Sequence, residues 1–424
     1  MTIKNTRRQF LKATAATGAA VSAFGIVGCA GGPSVVVIGG GFGGATAARY
    51  LKIFNPNVNV TLIEPKTSYT TCPFSNAYLG GIVGFDEITH SYDGLVAEGI
   101  QVMHDTVTGV DANTNSVTTA SGMVVNYDRL IVSPGIDFKW DVPGYDAATS
   151  AKIPHAWKAG EQTKILKAQL EAMDDGGTFI MCPPGNPYRC PPGPYERASM
   201  VAHYLKNHKP KSKVLILDRK DKFSKQPLFT EGWNKVYGDR IEWVAASKGG
   251  MVEGIDAANM VVKTEFDDHK GAVINFIPNQ TAGKIAHDIG LTDAKGWCPV
   301  DLYTFESKMI PGIHVIGDSA TVPGMPKSGN AANTEAKACA FAVTEMLNGA
   351  ETVEAPSTSN TCWSLVAPNY GIHVAAIWEA TPTKYAKISG GVSGKGLSAA
   401  TRKIEAGYAH GWYANIVRDI WNAG

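Results

Sequence analysis
Gly39, Gly41 and Gly44 stand at G-x-G-x-x-G spacing in the run Val35-Val36-Val37-Ile38-Gly39-Gly40-Gly41-Phe42-Gly43-Gly44-Ala45. That pattern binds a dinucleotide. The first glycine permits a tight turn, the second lets the backbone approach a pyrophosphate, and the third lets helix and strand pack closely. A helix opening at this point offers free N–H groups and a positive dipole end to the phosphates. Val60-Thr61-Leu62-Ile63-Glu64 then reads as a second strand ending in the carboxylate expected on a ribose hydroxyl. Far downstream, Ile313-His314-Val315-Ile316-Gly317-Asp318 reads as a strand ending in Gly-Asp, whose aspartate suits a hydrogen bond to a ribityl chain. After a proline-rich loop, Pro323 to Pro326, Lys327-Ser328-Gly329-Asn330 opens a helix through Ala331 to Met346. The positive end of that helix would face the N1/O2 edge of a flavin and stabilise its reduced anion. Two such fingerprints in this order point to FAD.

Sulfur supplies the other candidate chemistry. The chain has seven cysteines, and six remain if Cys29 is set aside: Cys72, Cys182, Cys190, Cys298, Cys339 and Cys362. No C-x-x-C-H is present, so no c-type haem is expected on this chain, and no histidine–cysteine cluster has zinc spacing; no metal site is expected. Cys182 and Cys339 sit on apolar segments and read as buried thiols. Spacing alone leaves the pairing of the six open.

The elements that must position these groups form an α/β pattern with two dinucleotide-type units. Tyr127 to Gly135 is a strand and tight turn leading out of the first unit. A second unit starts near Gly177-Thr178-Phe179-Ile180-Met181, and its next strand is Lys213 to Asp218. Between them, where a second glycine fingerprint would bind NAD(P)H, stands Cys182-Pro183-Pro184-Gly185-Asn186-Pro187-Tyr188-Arg189-Cys190-Pro191-Pro192-Gly193-Pro194. Proline has no N–H to give a phosphate, and its ring obstructs close approach. The topology therefore persists while the nicotinamide site is lost, and no NAD(P)H is expected. A helix follows from Tyr195 to Lys206. The chain then returns to the first unit at the buried strand Val273 to Ile277. The expected domains are an FAD-binding unit over 34–145 and 275–348, a second Rossmann-like unit over 146–274, and a C-terminal unit over 349–424.

The 424 residues carry a net charge of +1 and 44% hydrophobic residues, an ordinary globular composition that suggests no nucleic-acid surface. Thr6-Arg7-Arg8-Gln9-Phe10-Leu11-Lys12, followed by small and apolar residues, reads as a twin-arginine signal over 1–30 that exports a folded protein to the periplasm. Folded export fits a cofactor loaded before crossing. Ile26-Val27-Gly28-Cys29 also resembles a lipoprotein box, which would acylate Cys29; simple cleavage near Ala30 is the preferred reading. Near the C-terminus, Tyr408, Trp412, Tyr413, Ile416, Val417 and Ile420 alternate with Arg402, Lys403, Glu405, Arg418 and Asp419. That mixture suits a core or partner helix better than a membrane-dipping one.

Longer strings carry a family resemblance. They are Tyr69-Thr70-Thr71-Cys72 with Ser75-Asn76, Pro154-His155-Ala156-Trp157-Lys158-Ala159-Gly160-Glu161-Gln162, Arg189-Cys190-Pro191-Pro192-Gly193-Pro194-Tyr195-Glu196-Arg197-Ala198, Gly296-Trp297-Cys298-Pro299-Val300-Asp301, Met325-Pro326-Lys327-Ser328-Gly329 and Asn360-Thr361-Cys362. Through them the chain resembles the flavoprotein subunits of flavocytochrome c sulfide dehydrogenase. The resemblance implies a glutathione-reductase-like α/β fold: two Rossmann-type dinucleotide-binding domains and a C-terminal interface domain. It also implies FAD, oxidation of sulfide to sulfur or polysulfide, and a c-type cytochrome subunit as electron acceptor.

The resemblance also implies residue roles. Cys72 matches the residue that carries FAD through a thioether, with a buried free cysteine as the alternative. Cys190 and Cys362 match a redox-active disulfide beside the flavin, with an inert bridge as the alternative. Glu196 matches an active-site acid or base, and otherwise reads as a carboxylate stabilising a helix N-terminus. Trp412 would reach the flavin site or serve packing. The candidate cofactor set is thus Gly39, Gly41, Gly44, Glu64, Cys72, Gly317, Asp318, Lys327 and Trp412, and the candidate catalytic set Cys190, Cys362 and Glu196. Two other readings stay open at this point: a sulfide:quinone oxidoreductase, and a non-catalytic flavoprotein that docks a cytochrome.

Overall fold
The computed structural model describes residues 26–27 and 31–421; the twin-arginine segment and Cys29 lie outside them. The apolar run Ser34–Ile38 forms the middle strand of a five-stranded parallel sheet. Asn59–Ile63 and then Gln101–Met103 lie on one side of it, Arg129–Val132 and then Ile313–Val315 on the other. Its valines are buried because helices cover both faces of a parallel sheet, which is why the strand reads as a continuous apolar run.

Helix α1 (Phe42–Phe54) follows the glycine turn. Gly39 has φ +97°, and a Cβ there would lie 2.4 Å from the carbonyl oxygen of Ser133; a Cβ on Gly44 would lie 1.8 Å from that of Gly39. Only glycine permits this turn. The first turn of α1 has neither a side-chain cap nor an acidic residue. Its leading N–H groups are therefore left for an anion.

A second parallel sheet runs Ile241–Val244, Lys213–Leu217, Thr178–Cys182, Val273–Phe276. Here the structure departs from the sequence expectation. The strand starting at Val273 closes this second sheet, with Phe179 opposite Val273 and Cys182 opposite Phe276, instead of opening the return to the first. A strand buried on both faces fits either sheet, and sequence order does not say which. Helix α2 (Gly193–His208) starts two residues before the expected Tyr195, because Pro194 is well placed in a first turn. Helix α3 (Gln226–Tyr237) follows the Lys213–Leu217 strand. Helix α4 (Gly329–Leu347) is capped by Ser328, whose Oγ accepts the N–H of Ala331 at 3.0 Å.

The C-terminal part is an antiparallel sheet of Ser357–Ala367, Tyr370–Ala380 and Tyr385–Val392, followed by helix α5 (Ala399–Trp421). Along α5, Tyr413, Ile416, Val417, Ile420 and Trp421 are buried, so it is a core helix. Asp419 ties it down, accepting from Tyr50 Oη at 2.7 Å on α1 and from Asn333 Nδ2 at 2.8 Å on α4. No helix among the described residues is long and apolar enough to cross a membrane.

Candidate active site
Cys72, Cys190, Glu196, Cys362 and Trp412 line one cavity. Ser328, Gly329 and Asn330 bring the N-terminus of α4 to the same cavity, and Trp157 and Phe74 supply apolar wall. Each cysteine arrives on a different element. Cys72 follows the short strand Ser68–Thr70, and its Sγ lies 3.2 Å from the carbonyl oxygen of Trp157. Cys190 sits in the proline loop in left-handed backbone, φ +57°. Its N–H donates to Lys327 O at 2.8 Å, and its carbonyl accepts the N–H of Gly193, also at 2.8 Å. Cys362 comes in on the strand Ser357–Ala367. That strand is stapled to the start of α4: Ser328 Oγ donates to Asn360 Oδ1 at 2.6 Å, and Asn330 Oδ1 accepts the N–H of Thr361 at 2.6 Å.

The Cys190 and Cys362 side chains interact directly. This contact, helped by the nearby Lys225 ammonium, pulls the Cys362 thiol down to about 7, while the same contact and burial push Cys190 up.

Glu196 lies in the first turn of α2 and is fully engaged. Its Oε1 accepts the N–H of Leu365 at 2.8 Å and its Oε2 accepts Asn76 Nδ2 at 2.8 Å. Burial raises its pKa, and these two bonds oppose the rise. Asn76 is in turn oriented by Arg197 Nε, 3.0 Å from its Oδ1. Arg197 itself is only 2% exposed and also donates to Asn275 Oδ1 and to the carbonyls of His155 and Ala156. Sequence reasoning passed over Asn76, Arg197 and Lys225. Asn76 and Arg197 stand inside the strings that carry the family resemblance, but nothing in the strings says what they touch.

The remaining candidates lie elsewhere. Glu64 Oε2 accepts the N–H of Gly40 at 2.8 Å, so the carboxylate closes on the glycine turn. Gly39, Gly41 and Gly44 line neither the cysteine cavity nor its neighbour. Tyr69 covers Gly41, its Oη 3.1 Å from where a Cβ would stand, and Trp421 Nε1 donates to Gly40 O at 3.3 Å. Gly317, Asp318 and Lys327 line a second cavity, which shares Ser328 with the first. Lys327 Nζ donates to the carbonyls of Asp318 and Ala320 at 2.7 and 2.8 Å, over the Trp297 ring at 4.1 Å. Its charge is therefore held at the Gly-Asp motif, and Lys327 does not line the cysteine cavity.

The chain's own residues fit a flavin. Arg189, which lines the cysteine cavity, reaches Asp318 at 3.7 Å and so joins the two cavities. Arg189 Nε and Asp318 Oδ1 are both buried without a hydrogen-bond partner, which leaves a donor and an acceptor for polar atoms of a bound ring or ribityl chain.

Glu335 was not foreseen from the sequence. It lies buried on α4, its Oε2 accepting the N–H of Gly317 at 2.9 Å. Desolvation raises its pKa to about 8. A carboxyl with a raised folded pKa stabilises the fold fully below its unfolded pKa, and that contribution is lost as pH rises to the folded value. Denaturant titrations from about pH 5 to 9 should therefore show wild type losing stability relative to Glu335→Gln across that window. Parallel curves would show that Glu335 does not titrate there.

Comparison with known proteins gives the same architecture. The model described as "Sulfide dehydrogenase [flavocytochrome c] flavoprotein chain, central" matches residues 163–278, and "Flavocytochrome c sulphide dehydrogenase, flavin-binding" matches 354–421. The pyridine nucleotide-disulphide oxidoreductase model covers 33–170, and a twin-arginine translocation signal covers 4–24, which supports export to the periplasm. A sulfide dehydrogenase [flavocytochrome c] flavoprotein chain from Chlorobaculum thiosulfatiphilum is 65% identical over 43 residues, 10% of this chain and 90% of that sequence. The mitochondrial sulfide:quinone oxidoreductase of Mus musculus is 22% identical over 68% of this chain, which spans 66% of the mouse protein. Among solved structures, the sulfide:quinone oxidoreductase of Aquifex aeolicus superposes with TM-score 0.73 at 19% identity, over 92% of each chain. A putidaredoxin reductase in complex with putidaredoxin does so at 0.66 and 14% identity, over 92% of this chain and 99% of that one. The solved structures speak to the fold alone; with the matched family models and the Chlorobaculum sequence beside them, the chain belongs to the flavoprotein chains of flavocytochrome c sulfide dehydrogenase.

Proposed function
We propose that the chain oxidises sulfide to sulfur or polysulfide through a Cys190–Cys362 disulfide, with FAD held covalently by Cys72 and a c-type cytochrome subunit as the electron acceptor. One observation carries this reading: three cysteines from separate elements and a half-buried carboxylate face a single cavity against the N-terminus of α4. Hydrosulfide attacks a disulfide sulfur, one cysteine keeps the added sulfur as a persulfide, and the other leaves as thiolate. Glu196, held on both oxygens, is placed to take or return the proton of the incoming sulfur. Trp157, Trp412 and Phe74 keep bulk water from the reacting sulfurs. A bound flavin would supply a two-electron acceptor beside the thiolate that can also give up electrons singly, as a haem partner requires.

Supporting features lie around this cavity. The reading without NAD(P)H is supported by the proline loop that stands where a second glycine fingerprint would, and by the carboxylate at the end of the next strand. Asp218, at the end of the Lys213–Leu217 strand, accepts from Tyr195 Oη at 2.6 Å, Trp243 Nε1 at 3.0 Å and Lys220 Nζ at 2.7 Å. No free carboxylate remains for a ribose. The buried apolar face of α5 favours a cytochrome over a membrane quinone.

The test is anaerobic addition of sulfide to flavin-loaded protein, followed by oxidised cytochrome c or a soluble quinone. Bleaching, then faster recovery with cytochrome, is expected; an unbleached flavin would end the reading. For the covalent link, acid precipitation should leave the yellow colour with wild-type polypeptide and release it to the supernatant from Cys72→Ser.

A further inference from the structure
The two sulfurs of the pair sit in unlike surroundings. Lys225, at the entry to α3, reaches across to the strand that carries Cys362. Its Nζ donates to Cys362 O at 2.9 Å and to Ser364 Oγ at 2.8 Å. Its backbone is left-handed at φ +59°, a costly conformation for a side chain of this size. Burial lowers the pKa of this ammonium, and the nearby Cys362, Glu196, Cys190 and Glu405 oppose the drop. The charged and titratable groups facing the pair include Tyr188, beside Cys190. Cys362 meets Cys190, Lys225 and Glu196. Cys190 meets Cys362, Glu196 and Cys72, with the Arg189 and Arg197 guanidinium groups nearby. Lys225 has its strongest charge interaction with Cys362, ahead of Glu196 and Cys190.

We propose that Lys225 is a positioning residue that decides which sulfur leaves, so that hydrosulfide adds to Cys190 and Cys362 departs as the thiolate. This rests on the disulfide reading above. The step balances: HS⁻ forms a bond to Cys190 Sγ, the Sγ–Sγ bond breaks, and its electron pair goes to Cys362 Sγ. The products are the Cys190 persulfide and the Cys362 thiolate, with no outside oxidant. Lys225 acts at the leaving group, where negative charge appears, and a lower-pKa thiol leaves faster. The Cys362 thiol is lowered first by its contact with Cys190 and then by the Lys225 charge, so the variants below separate the two contributions.

Two measurements on the flavin-loaded protein test this. The first reduces the pair and follows iodoacetamide alkylation of each cysteine against pH by peptide mass. Cys362 should react with a midpoint near 7, well below Cys190. Lys225→Met should raise that midpoint by about one pH unit or more, and Lys225→Arg should restore it. If Lys225→Met fails to fold, Lys225→Gln, which can still bond Ser364, takes its place. The second traps the sulfide-treated wild type and locates the extra sulfur, expected on Cys190. Extra sulfur on Cys362, or an unmoved midpoint in the uncharged variant, would overturn the role of Lys225 with sulfide oxidation intact. A wild-type flavin that sulfide leaves oxidised would instead overturn the sulfide-oxidation reading itself.

Discussion

Flavin-loaded Cys190→Ser protein mixed with sulfide under anaerobic conditions will keep its yellow colour, with bleaching slowed about a thousandfold or more. Cys362→Ser will behave alike. The expectation follows from the two sulfurs acting as one unit. Removing either atom leaves no sulfur–sulfur bond to open, so the second loss should add little to the first. Both side chains stand in the same cavity as Cys72, so the variants should still bind and retain flavin. Bleaching at the wild-type rate in either variant would mean that sulfide reduces the flavin without the pair, and the non-catalytic docking reading would regain ground.

Arg197→Leu will be the most destabilising single substitution near the site, at about 3–5 kcal/mol in denaturant unfolding. The guanidinium is 2% exposed and makes four hydrogen bonds: to Asn76 Oδ1 at 3.0 Å, Asn275 Oδ1 at 3.0 Å, His155 O at 3.1 Å and Ala156 O at 2.7 Å. It also stacks 5.0 Å from the Trp157 ring centroid. Burial lowers its pKa to about 10, so it stays charged at neutral pH. Leucine removes the donors and leaves Asn76 Oδ1, Asn275 Oδ1 and Ala156 O buried without them, while His155 O keeps its bond from Asn275 Nδ2. Arg197→Lys should recover only part of the loss, because one ammonium cannot reproduce a planar fork. The same variants should loosen Asn76 and, through it, Glu196. A loss below about 1 kcal/mol would show that water or backbone shifts satisfy these groups.

Much of the frame was legible in the residues because it is local. Gly39 and Gly44 announce a turn that no Cβ can enter, and the structure has Ser133 O and Gly39 O standing where those atoms would go. The proline loop is legible as the replacement of a glycine fingerprint, while the bonds of Asp218 to Tyr195, Trp243 and Lys220 are not. Cys182 and Cys339 were readable as buried thiols from their apolar neighbours, and both are. Val273–Phe276 shows the limit: its apolar run identifies a buried strand but not the sheet that holds it.

By itself, the sequence determined the glycine turn, the core strands beside it and the Gly-Asp motif, since each depends on neighbours a few positions away. Tertiary structure alone decided what surrounds the sulfurs. Glu196 is held by Leu365, 169 residues away, and by Asn76, 120 residues away, while Lys225 reaches Cys362 across 137. Contacts of that span come from the packing of separately formed elements, and no spacing along the chain encodes them.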